Sequence, residues 1–197
     1  CRTGAILLFP NTSAERVAIL GLGPRQGLRA LSLCAWLATP PRLGALLSYT
    51  TEDSGTELAV CGRSGDLPGS ARFVMGDRDF REFPVTWLLD GKWHHFCLTW
   101  SSGQGQYRFY MDRRLLAAGS GFQQGYEIRA GGSLVLGQEQ DCAGKDFSTK
   151  ETFVGHLAGF ALWSRALLPG EVASMATGQG LPPGPLLTLA DASLQGG

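Results

Sequence analysis

The sequence predicts an all-β protein, an antiparallel sandwich with one short helix near its C-terminus, and three observations lead there. Composition is the first: apolar residues make up 44% and charged residues 17%, with 28 glycines and 10 prolines among 197 residues, which favours short strands joined by tight turns. The second is the stretch from Trp93 to Ser102, which holds two of the five tryptophans, two of the three histidines and a cysteine. Side chains alternate along a strand, so Trp93, His95, Cys97 and Thr99 point one way and His94, Phe96, Leu98 and Trp100 the other. Bulk on both faces predicts a central strand, packed on one side and partly covered on the other. The third is the regular punctuation of apolar runs by turn residues.

In chain order, Ala5 to Phe9 is a short apolar run closed by Pro10, and Val17 to Leu20 is another closed by Gly21 and Gly23. Both read as edge or returning strands. Leu31 to Leu37 alternates Leu31, Leu33, Ala35 and Leu37 against Ser32, Cys34 and Trp36, which is strand periodicity. Leu46 to Tyr49 and Leu58 to Cys61 flank the polar turn Thr51 to Thr56, which predicts a hairpin with a functional-looking loop. Arg63 to Ser70 is glycine-rich and polar, hence a surface excursion. Arg72 to Met75 and Phe83 to Trp87 are predicted strands, separated by a charged segment, Asp77 to Glu82.

Past the central strand, Gln106 to Met111 and Leu115 to Ala118 are joined by the turn Asp112-Arg113, a second hairpin. Ser133 to Gly137 leads into the polar stretch Gln138 to Glu151, and His156 to Trp163 is another strand. Pro169 to Ala176 is the predicted helix, with a first-turn proline and Glu171 at the positive end of its dipole. Leu186 to Leu189 is a last strand and Gln195-Gly196-Gly197 a tail. With no internal repeat, heptad or long linker, residues 1–197 are expected to form a single domain.

Several function classes drop out. The 17 basic and 17 acidic residues cancel, so no global field draws the chain onto nucleic acid or anionic lipid. No apolar run approaches the ~20 residues that cross a bilayer, and no signal-peptide pattern opens the chain. A mature or excised soluble piece, without direct membrane insertion, is the expectation. Five cysteines, at 1, 34, 61, 97 and 142, are too far apart for a CxxC zinc or redox motif, which favours a structural disulfide. Asn11, the chain's one asparagine, lies in Asn11-Thr12-Ser13, a glycosylation acceptor pattern. Both signals favour an extracellular setting.

His95-Phe96-Cys97-Leu98-Thr99-Trp100-Ser101, with Ser102 after it, resembles the pentraxin signature: His, any, Cys, any, Ser or Thr, Trp, any, Ser or Thr. Leu136-Gly137-Gln138-Glu139-Gln140-Asp141 resembles the pentraxin calcium loop. Val154-Gly155, Trp163 and the helix from Leu168 to Val172 follow in the family's order, so the resemblance runs over a core of about residues 5–194. It implies a two-sheet jelly roll of the lectin type, a disulfide between Cys34 and Cys97, and calcium on one face. Closing a loop of 62 intervening residues stabilises by about 4 kcal/mol in the chain-entropy treatment. Cys61 and Cys142 are expected to form a second bridge, since both are otherwise loose thiols beside exposed loops. Cys1 is left over.

Calcium takes six to eight oxygen ligands, several of them carboxylates. By resemblance, Glu139 and Asp141 bridge the ions and Gln140 gives its backbone oxygen, with Asp146 and Glu151 close behind. The sequence departs from the family where an Asp-Asn pair should precede Glu57: Gly55-Thr56 stands there, leaving Asp53 as the nearest acid. Ser148 stands where an acid is expected, and Glu151 where a glutamine is. The expectation is weak calcium binding, one ion in preference to two, through Glu139, Gln140, Asp141 and Glu151. Family members that hold phosphocholine use an apolar contact that falls on Cys61 here, which weighs against that ligand.

Two enzyme classes compete with a binding module. A glycosidase on this fold needs three carboxylates at alternate positions, and Glu139 and Asp141 are followed by Ala143. A thiol nucleophile at Cys97, beside His94 and His95, is removed if Cys97 pairs with Cys34. The expected function is a non-enzymatic recognition or adhesion module that binds a protein or glycan ligand, as a monomeric piece of a receptor ectodomain. A secreted, ring-forming pentraxin of innate recognition is the alternative.

Overall fold

The structure is a computed structural model, and it describes residues 6–9, 17–22, 26–39, 44–53, 55–62, 69–76, 79–137, 153–191 and 193–195. Among the described residues, fourteen strands form two seven-stranded antiparallel sheets. The first sheet contains β1 (Ile6–Phe9), β3 (Ala30–Ala38), β8 (His94–Ser101), β9 (Gln106–Met111), β10 (Arg114–Gly119), β12 (Gly155–Trp163) and β13 (Leu187–Thr188). Its order is β1-β12-β3-β8-β9-β10, with β13 beside β12. The second contains β2 (Val17–Leu22), β4 (Ala45–Thr51), β5 (Gly55–Gly62), β6 (Ser70–Met75), β7 (Asp79–Pro84), β11 (Ser133–Leu136) and β14 (Ser193–Gln195), in the order β14-β2-β11-β4-β5-β6-β7.

β8 occupies the centre of the first sheet, between β3 and β9, and its two faces divide as the alternation predicts. Phe96, Leu98 and Trp100 point between the sheets, where they meet Leu33 and Leu37 of β3 and Leu58, Val60 and Phe73 of the second sheet. On the outer face Cys97 lies opposite Cys34 and bonds to it, with 4.2 Å between Cα atoms. Helix α1 (Pro169–Ala176) covers that bridge. Its Val172 and Met175, with Leu167, complete a second small core around Trp163, Tyr110 and the disulfide. Ser32 of β3 fixes the lead-in to the helix, donating to the Arg165 carbonyl at 2.8 Å and accepting the Leu167 N–H at 2.9 Å.

The β9–β10 hairpin turns at Asp112 and Arg113, whose φ angles of 49° and 74° are those of a two-residue turn matched to strand twist. Three boundaries differ from the sequence expectation. The charged segment after Met75 is not a separator: Asp79–Pro84 is strand, and it is the edge of the second sheet, where charge is tolerated because one side meets water. Trp87 sits in a 3-10 turn over Thr86–Leu88 in place of a strand. At the C-terminus only Leu187–Thr188 is strand before a 3-10 turn at Leu189–Asp191, and Gln195 belongs to β14 and not to a tail.

Candidate functional site

Of the metal ligands that the sequence suggests, Asp53 alone is among the described residues, exposed in the β4–β5 turn. Glu139, Gln140, Asp141 and Glu151 lie outside them, as do Asn11 and Cys142. The four ligand candidates fall in sequence between Gly137, just past β11 of the second sheet, and Phe153, just ahead of β12 of the first. These two residues are joined by the Phe153 N–H donating to the Gly137 carbonyl at 3.2 Å, and the Gly137 N–H donates to Leu46 at 2.9 Å. Gly137 has φ +84°, and a Cβ there would lie 2.3 Å from the Phe9 ring, so this position requires glycine. Register puts Gly137 beside the Ala45–Cys61 end of the β4–β5 hairpin and Asp53 at the other end, about 20 Å away at ~3.3 Å per residue.

Glu57, next to the expected first calcium loop, is 1% exposed and already engaged. Its carboxylate accepts the Tyr126 hydroxyl at 2.5 Å and the Arg129 N–H at 3.2 Å. Tyr49 completes the anchoring of the same loop, donating to the Arg129 carbonyl at 2.6 Å and accepting the Gly132 N–H at 3.0 Å. Glu57 therefore holds the chain before β11 in place. Among the described residues no group of three or more His, Cys, Asp or Glu side chains is placed to hold a metal, and one exposed carboxylate falls short of the six oxygens calcium takes.

Two surfaces flank the sandwich. On the outer face of the second sheet, Ala59, Cys61 and Val74 are buried together with Phe80 packed against them. The Arg72 guanidinium lies 4.0 Å over the Phe80 ring and bonds Glu82 at 2.9 Å. Cys61 is disulfide-bonded, and the partner expected for it, Cys142, is outside the described residues.

The outer face of the first sheet carries a strip of apolar, aromatic and imidazole side chains. Register aligns Ile6, Ala158, Trp36 and His95 in one row, and Leu8, His156 and Ala38 in the next. The Trp93 indole joins the second row, its centroid 5.9 Å from the His156 ring. Ile6 is 56%, Leu8 57% and Trp93 43% exposed, and Trp87, earlier in the same connection as Trp93, is 67% exposed.

His94 and His95 sit in opposite environments. Burial pushes the His95 imidazole down to about 4, against a smaller upward pull from Asp112, and its ring packs 5.0 Å from Trp36. It is a neutral, structural side chain. His94 lies between two carboxylates, with Nδ1 2.6 Å from Asp112 Oδ2 and Nε2 2.8 Å from Asp90 Oδ1. Burial lowers its pKa, but the hydrogen bonds to Asp112 and Asp90 outweigh burial and hold it above the ordinary value. Sequence reasoning named neither Asp90 nor Asp112 as functional, although it placed Asp112 in a turn. With Cys97 in the bridge, the thiol-nucleophile reading has no thiol.

The Pentaxin family model matches residues 5–187. Human Pentraxin-4 is 54% identical over 198 residues, spanning 100% of this chain and 41% of that protein. The human Adhesion G protein-coupled receptor D2 is 34% identical over 176 residues, 87% of this chain and 18% of the receptor. The chain thus spans less than half the length of these relatives. Among solved structures, the native heptameric SAP-like pentraxin from Limulus polyphemus superposes with a TM-score of 0.77 at 23% identity, over 96% of this chain and 89% of that one. The full extracellular region of zebrafish Gpr126/Adgrg6 superposes with a TM-score of 0.67 at 17% identity, over 86% of this chain and 22% of that one. At such identities the shared property is the jelly-roll fold.

Proposed function

The chain belongs to the pentaxin family, and from that premise we propose that it is a non-enzymatic extracellular recognition module, one unit with its core at about residues 5–194, which binds a protein or glycan ligand. The observation that carries the reading is the family match over residues 5–187 on a sandwich whose reactive cysteine candidate is locked in a buried disulfide. A disulfide at the centre of the fold suits an oxidising compartment. An adhesion receptor among the relatives and an extracellular region among the structural neighbours support the same location. The test is binding of the purified domain to arrays of cell-surface proteins and glycans, with a hydrolysis screen on common polysaccharides in parallel. Saturable binding without turnover is expected; turnover of any glycan overturns the reading.

Calcium is a weak, single-ion ligand in this proposal, held by Glu139, Gln140, Asp141 and Glu151 with Asp53 as the one acid near the first loop. Its support is the likeness of residues 136–141 to the family's loop, set against the loss of the Asp-Asn pair at Gly55-Thr56 and of the acid at Ser148. Calorimetry at millimolar calcium should give a small, single-site heat; no heat and no thermal shift would remove the ion. The Cys61–Cys142 bridge and a glycan on Asn11 belong to the same proposal, and a non-reduced peptide map of secreted protein reads both. A ring is the second reading, since the Limulus neighbour is a heptamer. Light scattering after size exclusion separates it from the monomer expected of a receptor module.

A further inference from the structure

Both ring nitrogens of His94 face carboxylates that come from different parts of the chain. Asp112 belongs to the β9–β10 turn and Asp90 to the connection between β7 and β8. Asp112 is fixed by its surroundings: its Oδ1 accepts the His95 N–H at 2.9 Å, and its own N–H donates to the His95 carbonyl at 2.8 Å. Asp90 is held more loosely, its Oδ1 accepting the Lys92 N–H at 2.9 Å. The connection is also tied by the Gly91 N–H, which donates at 2.9 Å to the carbonyl of Thr39, the residue that follows β3. At its end, next to His94, stands Trp93.

We propose that Asp90, His94 and Asp112 form a proton-operated clamp on the β7–β8 connection, closed while the imidazole carries two protons and setting the pose of the exposed Trp93 indole. A doubly protonated imidazole donates to both carboxylates. A neutral one has a single N–H and a single lone pair, so one of the two contacts becomes acceptor against acceptor. The arm that opens is Asp90, because Asp112 is pinned by two backbone bonds. The other titratable and charged groups around the clamp are Lys92 on the connection, Arg113 and Arg114 on the hairpin, His95 on β8 and His156 across from Trp93. β3 presents Leu37 opposite His94, which does not titrate.

The sign follows from the direction of the shift. With a folded pKa above the ordinary 6.5, the clamp is closed below about pH 6.5 and is lost as pH rises through the higher folded value. The device gates an aromatic side chain at the edge of the outer strip of the first sheet, whatever ligand the module takes.

The experiment is an NMR titration of the intact domain, following the His94 ring, the Trp93 indole N–H and exchange of the Lys92 amide corrected for its intrinsic rate. The Trp93 signal should move with the His94 titration, and Lys92 protection should fall about tenfold across it, the value of one charge-assisted hydrogen bond. D90N should lower the His94 pKa and flatten both responses while leaving the buried core intact; H94Q should abolish the titration. A Trp93 signal that ignores the His94 titration, or that keeps its full pH response in D90N, overturns the clamp.

Discussion

Removing the Cys34–Cys97 bridge tests the central structural claim. The two residues are 63 apart in sequence, so the unfolded chain gains the freedom of that loop, about 4 kcal/mol in chain-entropy terms. Both side chains are 0% exposed and sit in the small core with Trp163, Tyr110, Val172 and Met175. Truncating each to alanine leaves a gap there, about 1 kcal/mol apiece. Two variants separate these contributions. C34V/C97V restores most of the volume and loses only the tether, so urea unfolding should show a loss of about 4 kcal/mol. C34A/C97A loses the tether and the packing, about 6 kcal/mol. With a slope of about 3 kcal/mol per molar for a chain of this size, the valine midpoint falls by between about 1 and 2 M. Reducing agent is left out, because Cys61 is also in a disulfide. A valine midpoint that coincides with the wild type would refute the reasoning, since the tether would then contribute nothing.

Three further predictions come from single sites. Tyr126→Phe leaves the buried Glu57 carboxylate without its hydroxyl donor and should cost about 2 kcal/mol; chemical denaturation measures it, with Glu57→Gln and the double variant closing a cycle. Arg165 holds the Glu171 carboxyl at about 2, chiefly through side-chain hydrogen bonds and then with help from the Leu168 N–H. Arg165→Ala should return Glu171 towards its ordinary value, seen by NMR, and acid fraying of α1 should begin at higher pH because that contribution is lost as pH falls through the folded pKa. His95, held neutral by burial at about 4, contributes stability that is full above the unfolded value near 6.5 and is lost as pH falls through 4. That window is worth about 3 kcal/mol, and His95→Gln should remove this part of the acid limb of a stability-versus-pH curve.

Much of the fold is legible because a β sandwich writes its two faces into alternate positions. Leu31, Leu33, Ala35 and Leu37 went to one side and Cys34 and Trp36 to the other, and Asp112-Arg113 announced its turn. Where the expectation slipped, tertiary context decided. Asp79, Arg81 and Glu82 look like a loop by composition, but an edge strand can keep charges. Arg81 shows how: its guanidinium lies 4.7 Å over the Phe122 ring at the margin of the core. Glu57 was beyond reach for a different reason. A buried glutamate is explained only by its partners, Tyr126 and Arg129, and these are some seventy residues away on a loop with no periodicity to place them.

His94 and His95 make the same argument at the scale of one peptide bond. Alternation says that they face opposite ways and nothing more. What each then does is set by chain elements remote in sequence: Trp36 roofs His95 on the outer face, while Asp90 and Asp112 bracket His94 at the strand's end. One ring loses its proton to burial and the other keeps it through two carboxylates. Asp112 acts on both, donating a backbone N–H to the His95 carbonyl and accepting from the His95 N–H and the His94 ring. Its left-handed turn conformation is what lets a single carboxylate reach both. The hairpin turn that sequence reveals most plainly is therefore also part of the hold on the His94 proton, and a change there that preserves the turn, Asp112→Asn, should weaken that hold while leaving His95 buried and neutral.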